Sequence, residues 1–353
     1  LGLILLGAAL YLSGAVFEVS APWVRADEAG SRTASGHTRA RSRSLGTWPR
    51  SGAADVSAAI GTARARGDAW SGVELARRRE ILARAARELA ADPDPGGLLA
   101  ARLGLETGEL APHLTSIAGV LERALLDPAA AFAGGRAAEP GLLILAPAWS
   151  ELVSPVSAVL FSALALGRTV LYVSDPHAPM IGDELATALE RAGLPKGVLS
   201  VVHDDGEDAL RAALQSGAAT YVRASGYPNR IRRLERLATG GSGPDFGPNF
   251  GAGLERATAP AIEMRILRSK TTVVRSSENL AARAAEVVNG AFGRSASLSG
   301  QLPGQIGRVV CAERSFSRFT QVLLTELRRS LDVSRPAPIV ERESEDRFRR
   351  VRV

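Results

Sequence analysis

The chain has 353 residues, a length that accommodates two globular domains, and its 46% of hydrophobic residues can fill their cores. The formal net charge is +6, but the arginines are scattered among acidic residues and aromatic residues make up only 5%. A surface that binds nucleic acid usually gathers basic residues on one face, often with aromatic side chains among them. We therefore expect no nucleic-acid partner.

Cysteine and histidine usage excludes other kinds of site. Cys311 is the only cysteine, which rules out an intrachain disulfide and a thiolate metal cluster. The four histidines are far apart in the sequence and show no ligand spacing: His37, His113, His177 and His203. We therefore expect no metal site, and a reducing, cytoplasmic location.

Two unusual stretches precede the first predicted helix. Residues 1–17 are uncharged, slightly short for a membrane span of about 20 residues, and no basic segment precedes them as in a signal peptide. Either they form a membrane anchor that leaves the body of the chain in the cytoplasm, or the start of the sequence is mis-called or clipped. Residues 25–52 are rich in arginine and serine, which predicts a disordered linker. The apolar segment and the linker together make residues 1–52 a region outside the folded domains.

Helical periodicity begins at Asp55. Residues 55–70 predict one helix, and in residues 74–93 apolar side chains recur at steps of three and four, which is typical of an amphipathic helix. A third helical stretch runs from Leu98 to Gly108, where the glycine can close the helix.

The middle of the chain alternates between short apolar runs and helical patterns. Strands are predicted over residues 141–149, 169–175, 197–204 and 219–225, and helices over 156–167, 181–193 and 207–217. Strands that alternate with helices of this length predict βαβ units and a parallel sheet. Such sheets bind ligands at the carboxyl ends of their strands.

The last third of the chain follows a Gly/Pro-rich segment, residues 239–253, which predicts a loop or linker. The sequence then predicts a strand over 271–274, a helix over 278–292, a loop of small residues, a strand ending at Cys311 and a helix from Phe319. We expect the charged tail to fray.

Several blocks resemble, in the same order, the sequence words of the aldehyde dehydrogenase superfamily. PAWSELVSPVSAVLFSALALGRTVLYVSD (147–175) is similar to the family block P-W-N-F-P…P-A-L-A-A-G-N-T-V-V-L-K-P-S-E. RAGLPKGVLSVVHDDG (191–206) is similar to A-G-L-P-x-G-V-x-N-V-V-x-G-x-G. Gly300 and Gln301 fit the region around the family's nucleophile. On this series, which covers residues 55–330, the chain is identified as a member of the superfamily.

The resemblance implies an α/β protein of aldehyde-dehydrogenase-like fold. A Rossmann-like parallel-sheet domain that binds NAD or NADP would occupy residues 53–262, and a partial α/β catalytic domain would occupy residues 263–353. The family's remaining catalytic segments and its final dimerisation strand have no counterpart in this sequence, so we expect a C-terminally truncated member. The resemblance also implies a homo-oligomer or a complex with a paralogous dehydrogenase subunit.

The family's reaction requires a cysteine thiolate that attacks an aldehyde before hydride passes to the nicotinamide. Counting back from Arg308 puts this cysteine on Pro303, and counting forward from the helix 278–292 puts it near Ser299. Neither residue is a thiol. Cys311 lies in the word RVVC, which we expect to be a buried strand, where a lone cysteine usually acts as a small apolar side chain.

Other family positions are also assigned by resemblance. Glu263 in AIEM matches the glutamate of E-L-G-G-K, which is the general base for deacylation. Trp149 matches the tryptophan of P-W-N, and Ser150 takes the place of its asparagine, an oxyanion donor. Ser225 and Gly226 resemble the T-G turn that begins the pyrophosphate-facing helix.

Two changes predict weakened cofactor binding. The lysine that holds the adenosine ribose falls on Val173, which has no donor, and the second glycine of the phosphate turn falls on Ile231. Glycine lets the backbone approach a phosphate closely, whereas a branched residue generally does not.

Three functional hypotheses remain open. The first is a pseudoenzyme that keeps the scaffold but lacks the catalytic cysteine. The second is an active NAD(P)-dependent oxidoreductase that acts on aldehydes with Glu263 as base. The third is a non-functional gene remnant.

Overall fold

A computed structural model of the chain describes residues 16–20, 44–92, 100–101, 117–132, 140–151, 153–204, 208–238, 261–266, 270–275, 279–291 and 306–330. The chain divides into two compact units. The first unit comprises residues 1–19, 46–99 and 114–267, and the second comprises residues 20–45, 100–113 and 268–353.

Two short strands, β1 (Val16–Ser20) and β2 (Ser44–Pro49), pair to form a small sheet. The prediction of a disordered linker over 25–52 is therefore wrong where it includes β2. The physical reason is that one large apolar side chain of this polar stretch, Trp48, packs into the fold. The Trp48 side chain is buried, and its indole Nε1 donates a hydrogen bond of 2.9 Å to the Asp183 carboxylate.

Three helices follow before the main sheet: α1 (Ala53–Ser71), α2 (Leu75–Ala91) and α3 (Ile117–Leu126). The first two confirm the predicted helices. Helix α3 was not predicted, and of the stretch predicted to be helical from Leu98 to Gly108 only residues 100–101 lie among those described, where they are helical.

The first unit is built on five strands and the helices that connect them. The strands are β3 (Leu142–Ala146), β4 (Thr169–Ser174), β5 (Leu199–His203), β6 (Tyr221–Gly226) and β7 (Ala261–Ile266). The helices are α4 (Val153–Ala165), α5 (Met180–Arg191), α6 (Asp208–Gln215) and α7 (Pro228–Ala238). This alternation confirms the predicted βαβ units.

The strand order is β5-β4-β3-β6-β7, and every adjacent pair is parallel. From β3 the chain adds β4 and β5 on one side, and it then returns to place β6 and β7 on the other side. The carboxyl ends of β3 and β6 therefore form a topological switch point, where open α/β sheets bind ligands. Apolar residues of α1, α6 and α7 cover one face of the sheet and form one continuous core with it.

The boundary predicted at residues 262–263 falls inside β7. Because β7 pairs with β6 from Tyr221↔Ala261 to Gly226↔Ile266, it belongs to the first sheet, and the first unit extends to residue 267. Glu263 is thus a residue of the first unit.

Two glycines predicted to stop helices do so. Gly167 follows α4 with φ of +83°, and Gly193 follows α5 with φ of +100°. This left-handed conformation is open to glycine and strained for other residues, and it is a common way to end a helix.

The second unit contains β8 (Lys270–Val274), α8 (Leu280–Ala291), β9 (Ile306–Cys311) and α9 (Glu313–Ser330). Strands β8 and β9 are parallel neighbours, and a small core joins them to the helices. RVVC belongs to β9, which confirms the predicted strand, but Cys311 and Val309 are half-buried and Val310 is 49% exposed, so the expectation that this strand is buried is wrong. The reason is that helices cover one face of this pair, while Val310 points away from the core that Val309 and Cys311 contact.

Within the described ranges, no helix combines the length and the apolar character that crossing a bilayer requires. Residues 1–15 lie outside those ranges, so the membrane anchor considered for residues 1–17 stays a prediction.

Candidate functional site

The carboxyl ends of β3, β4 and β6 lie side by side at the switch point of the first sheet. A short 3₁₀ helix, Trp149–Glu151, follows β3. Residues 175–178 form the turn after β4, and α7 begins two residues after the end of β6. These segments therefore lie at the same edge of the sheet. Trp149 and Ser150 lie in the 3₁₀ helix, and Ser225 and Gly226 are the last two residues of β6.

Ser225 joins the turn after β3 to the end of β6. Its Oγ accepts a hydrogen bond of 3.0 Å from the backbone N–H of Ala148, and its hydroxyl donates to the Glu151 carboxylate. Ser225 is 2% exposed. The hydroxyl predicted to face a cofactor is thus fully used within the chain.

Asp175 joins all three turns through its carboxylate. Oδ2 accepts a 3.1 Å bond from the backbone N–H of Trp149 and pairs with the Arg230 guanidinium on α7. Oδ1 accepts a 2.9 Å bond from the backbone N–H of His177 and lies 2.8 Å from its ring Nδ1. The side chain of Asp175 is 6% exposed, so these four groups replace water almost completely.

Opposing effects set the ionisation of Asp175. Burial by itself would raise the pKa of this carboxyl, but the charge of Arg230 and the hydrogen bonds from His177 outweigh burial and hold the pKa below its usual range. Asp175 is therefore a carboxylate at neutral pH. Its negative charge also contributes to the raised pKa of the buried Tyr172 phenol, whose main cause is burial.

Arg230 covers the turn that resembles the family's phosphate turn. A Cβ placed on Gly226 would lie 2.7 Å from Cδ and 3.0 Å from Cβ of Arg230. The space that glycine leaves open at this position is occupied by the arginine side chain, which reaches across it to Asp175. The side of Gly226 on which a Cβ would stand is consequently filled by Arg230.

Four further predicted positions are buried. Val173 and Ile231 are each 1% exposed and belong to the core shared with α1 and α6. Trp149 and Ser150 are each 2% exposed, and the Ser150 hydroxyl is buried without a hydrogen-bond partner. A buried hydroxyl of this kind is uncommon in folded proteins, which usually satisfy such groups with protein or water.

Glu263 lies in the middle of β7, opposite Arg223 of β6. The Arg223 guanidinium donates to both of its carboxylate oxygens, at 2.7 and 2.8 Å, and the Tyr221 hydroxyl donates to Oε2 at 2.8 Å. The side chain is 25% exposed. The catalytic role of Glu263 stays a prediction, but its carboxylate is committed to an ion pair three residues before the end of the strand.

The structure describes only one of the three residues considered for the nucleophile. Ser299 and Pro303 lie outside the described residues. Cys311 is described, in the second unit, where its side chain packs against the core around Phe319. No group of histidine, cysteine and acidic side chains that could hold a metal ion occurs among the described residues.

The residues at the switch point differ from the cofactor contacts that the family resemblance implies. The ribose position is a core valine, two backbone N–H groups of the turn after β3 are already bonded within the chain, and Arg230 fills the phosphate turn. Two carboxylates, Asp175 and Glu151, lie at this edge of the sheet, the first paired with Arg230 and the second bonded to Ser225.

Sequence reasoning found the positions of this site but missed what closes it. It named Trp149, Ser150, Ser225 and Gly226, which the structure brings to one edge of the sheet, but it gave no role to Asp175. Arg230 and Asp175 are 55 positions apart, so no local pattern joins them. The available signal was an acidic residue directly after the last residue of β4, at the edge where ligands bind.

The sheet order and the segments at its switch point define an α/β protein with a Rossmann-like parallel sheet. Within this class, the aldehyde dehydrogenase family profile matches residues 23–124 and 147–241, more than half of the chain. The chain belongs to the aldehyde dehydrogenase family. The match starts at residue 23, ahead of Asp55, where the sequence analysis placed the beginning of the resemblance.

Individual relatives agree with this assignment. The α-ketoglutarate semialdehyde dehydrogenase of Haloferax volcanii is 27% identical over 334 residues, which are 89% of this chain and 63% of that protein. The chain therefore spans less than two thirds of that relative's length.

Solved structures agree on the fold. The NADP-dependent glyceraldehyde-3-phosphate dehydrogenase of Bacillus halodurans, solved with NADP, has a TM-score of 0.75 at 19% identity, covering 98% of this chain and 69% of its own. The succinate-semialdehyde dehydrogenase of Burkholderia pseudomallei has a TM-score of 0.72 at 21% identity, covering 92% of this chain and 63% of its own.

Proposed function

We propose that this chain is a non-catalytic member of the aldehyde dehydrogenase family. The observation that carries the proposal is the closure of the switch point by the chain's own side chains, above all by Asp175 and Arg230. The sequence supports it, because the positions expected for the nucleophile hold Pro303 and Ser299 rather than cysteine. A serine hydroxyl needs a paired base to act as a nucleophile, and a proline has no nucleophilic atom.

Weakened binding of NAD or NADP is part of this proposal. Dinucleotide sites of this class offer free backbone N–H groups and a glycine turn to the pyrophosphate. Here Ala148 and Trp149 donate to side chains of the chain itself, and Gly226 is covered by Arg230. A dinucleotide would have to break these bonds before it could bind.

The rival hypothesis is an active dehydrogenase with Glu263 as general base. A general base must have a free lone pair within reach of the proton that it removes. Both oxygens of Glu263 accept hydrogen bonds from Arg223, and one of them also accepts from Tyr221. These contacts favour a structural ion pair between β6 and β7 over catalysis.

An activity assay separates the two hypotheses. We expect no formation of NADH or NADPH above background when the purified chain is incubated with either oxidised cofactor and a panel of aldehydes. Two matched variants, Glu263→Gln and Cys311→Ser, should give the same baseline. Steady cofactor reduction that either variant abolishes would overturn the proposal and name the residue responsible.

A scaffold without activity acts through a partner, and we propose a second copy of this chain or a paralogous dehydrogenase subunit. Val273 and Val310 support this, because they are paired across β8 and β9 and are 53% and 49% exposed.

We also propose a cytoplasmic location, in keeping with a single cysteine. The gene-remnant hypothesis is less well supported, since the first unit has a continuous, fully buried core.

A further inference from the structure

Asp175 sits in a cradle of four donors that come from three different elements. They are the backbone N–H of Trp149 at 3.1 Å, the backbone N–H of His177 at 2.9 Å, the His177 ring at 2.8 Å and the guanidinium of Arg230. Each carboxylate oxygen takes two of them. We call this set of donors the Asp175 cradle.

The chemistry of the cradle is that of an oxyanion site. Backbone N–H groups, an imidazole and a guanidinium are the donors with which proteins bind phosphate and carboxylate ligands. The cradle is also screened from water, because the Asp175 side chain is 6% exposed and that of Arg230 is 19% exposed. Charge-assisted bonds are stronger in such surroundings than in water.

We propose that Asp175 is an internal anion that stands in for the phosphate of a ligand and keeps the cradle closed to external oxyanions. The inference rests on the proposed function and gives it a physical cause. The carboxylate already accepts from each of the four groups, so that a phosphate would have to displace it. Removal of the Asp175 carboxylate takes away the acceptor that these groups share and makes room for an oxyanion.

The neighbouring turn reinforces the closure. The backbone N–H of Ala148, next to Trp149 in sequence, donates to Ser225 Oγ at 3.0 Å, and Ser225 in turn donates to Glu151. Two successive backbone donors after β3 are therefore satisfied within the chain. Of the two carboxylates, Asp175 pairs with the guanidinium of Arg230, whereas Glu151 accepts from the Ser225 hydroxyl. Asp175 is therefore the carboxylate to remove.

The test is thermal unfolding of the wild-type chain and of Asp175→Ala, in chloride and in inorganic phosphate at matched ionic strength. We expect phosphate to leave the wild-type midpoint unchanged. For Asp175→Ala we expect a saturable rise of about 5 °C at phosphate concentrations near 100 times its dissociation constant. The double variant Asp175→Ala, Arg230→Ala should lose most of this rise, because it lacks the only full charge in the cradle.

Asp175→Ser is the second variant, with a hydroxyl that can still accept from the Trp149 N–H. A variant that folds only when phosphate is present supports the proposal, since the added oxyanion then replaces the missing carboxylate. Equal phosphate effects on wild type and variants contradict it, and so does the absence of any effect on a folded variant. Failure of both single variants to fold even in phosphate contradicts it as well.

This outcome is independent of the activity assay. Aldehyde oxidation by the wild-type chain would overturn the proposed function without changing the phosphate comparison. A missing phosphate effect together with no activity would overturn the internal anion alone.

Discussion

Replacement of Arg78 by alanine is expected to lower the free energy of unfolding by about 4 kcal/mol, because buried carbonyls left without a donor cost about 1–3 kcal/mol each. Arg78 is a buried residue of α2. Its guanidinium donates to the carbonyls of Ala165 at 3.0 Å, Ser71 at 2.8 Å and Val73 at 2.6 Å, with a longer bond to Trp70. One cation thereby satisfies the carboxyl ends of α1 and α4.

Two further substitutions test whether the loss of stability in Arg78→Ala comes from the unpaired carbonyls. Arg77→Ala is the matched control, because Arg77 is the preceding residue of α2 and pairs with Glu80 with more than half of each side chain exposed. We expect it to change stability by less than about 0.5 kcal/mol. Arg78→Lys keeps a charge near both helix ends but cannot span all the carbonyls, so its loss should be intermediate.

Urea denaturation followed by circular dichroism measures these differences. A loss below about 1 kcal/mol for Arg78→Ala, or a loss equal to that of Arg77→Ala, would show that the carbonyls find other partners. We expect the wild-type chain to unfold in a cooperative transition, because its first unit has a continuous buried core. A gene remnant would not unfold sharply.

Asp175→Asn is expected to destabilise the chain by about 3 kcal/mol at neutral pH, the scale on which buried ion pairs lose stability when one partner is removed. The amide keeps the shape of the carboxyl group and can still accept from the Trp149 N–H. It no longer balances the charge of Arg230, whose guanidinium then lies partly buried without its carboxylate.

The effect of Asp175 depends on pH in a definite direction. Because the folded pKa of Asp175 lies below the unfolded value of about 3.9, the ionised carboxylate stabilises the fold above that value. This contribution is lost as the pH falls through the folded pKa. The difference between wild type and Asp175→Asn should therefore be constant above about pH 5 and shrink below about pH 4.

The comparison is best made between about pH 5 and pH 3, the range in which the difference is expected to begin to shrink. Exposed Asp68 on α1 supplies the control, since Asp68→Asn should change the free energy of unfolding by less than about 0.5 kcal/mol. A stability gap for Asp175→Asn that widens on acidification would mean that the carboxylate is not held in its charged form.

The main sheet could be predicted because its strands leave a strong local signal. Strands β3, β4 and β5 are buried along their whole length, and such strands read as short apolar runs between turn residues. Strand β7 was not assigned as a strand, because AIEMRI mixes apolar and charged residues. Its pairing with β6 is a long-range contact, in which Arg223 meets Glu263 across 40 positions, and no local pattern reveals it.

In the candidate site, too, the sequence predicts the local elements but not the long-range contacts between them. The turns after β3 and β6 follow from the strand pattern, and the resemblance put Trp149 and Ser225 at the correct edge. The partners of those residues come from the tertiary fold, since Ala148 meets Ser225 across 77 positions and Asp175 meets Arg230 across 55. Sequence could show that family residues were replaced, but not that the replacements bond to one another.

The most direct test of the account is an equilibrium titration of the wild-type chain with NADH and with NADPH, followed by cofactor fluorescence. Closure of the switch point by Asp175 and Arg230 predicts no saturable binding at cofactor concentrations up to about 1 mM, which corresponds to a binding free energy weaker than about 4 kcal/mol. Saturable binding in the micromolar range, displaced by the oxidised cofactor, would contradict it.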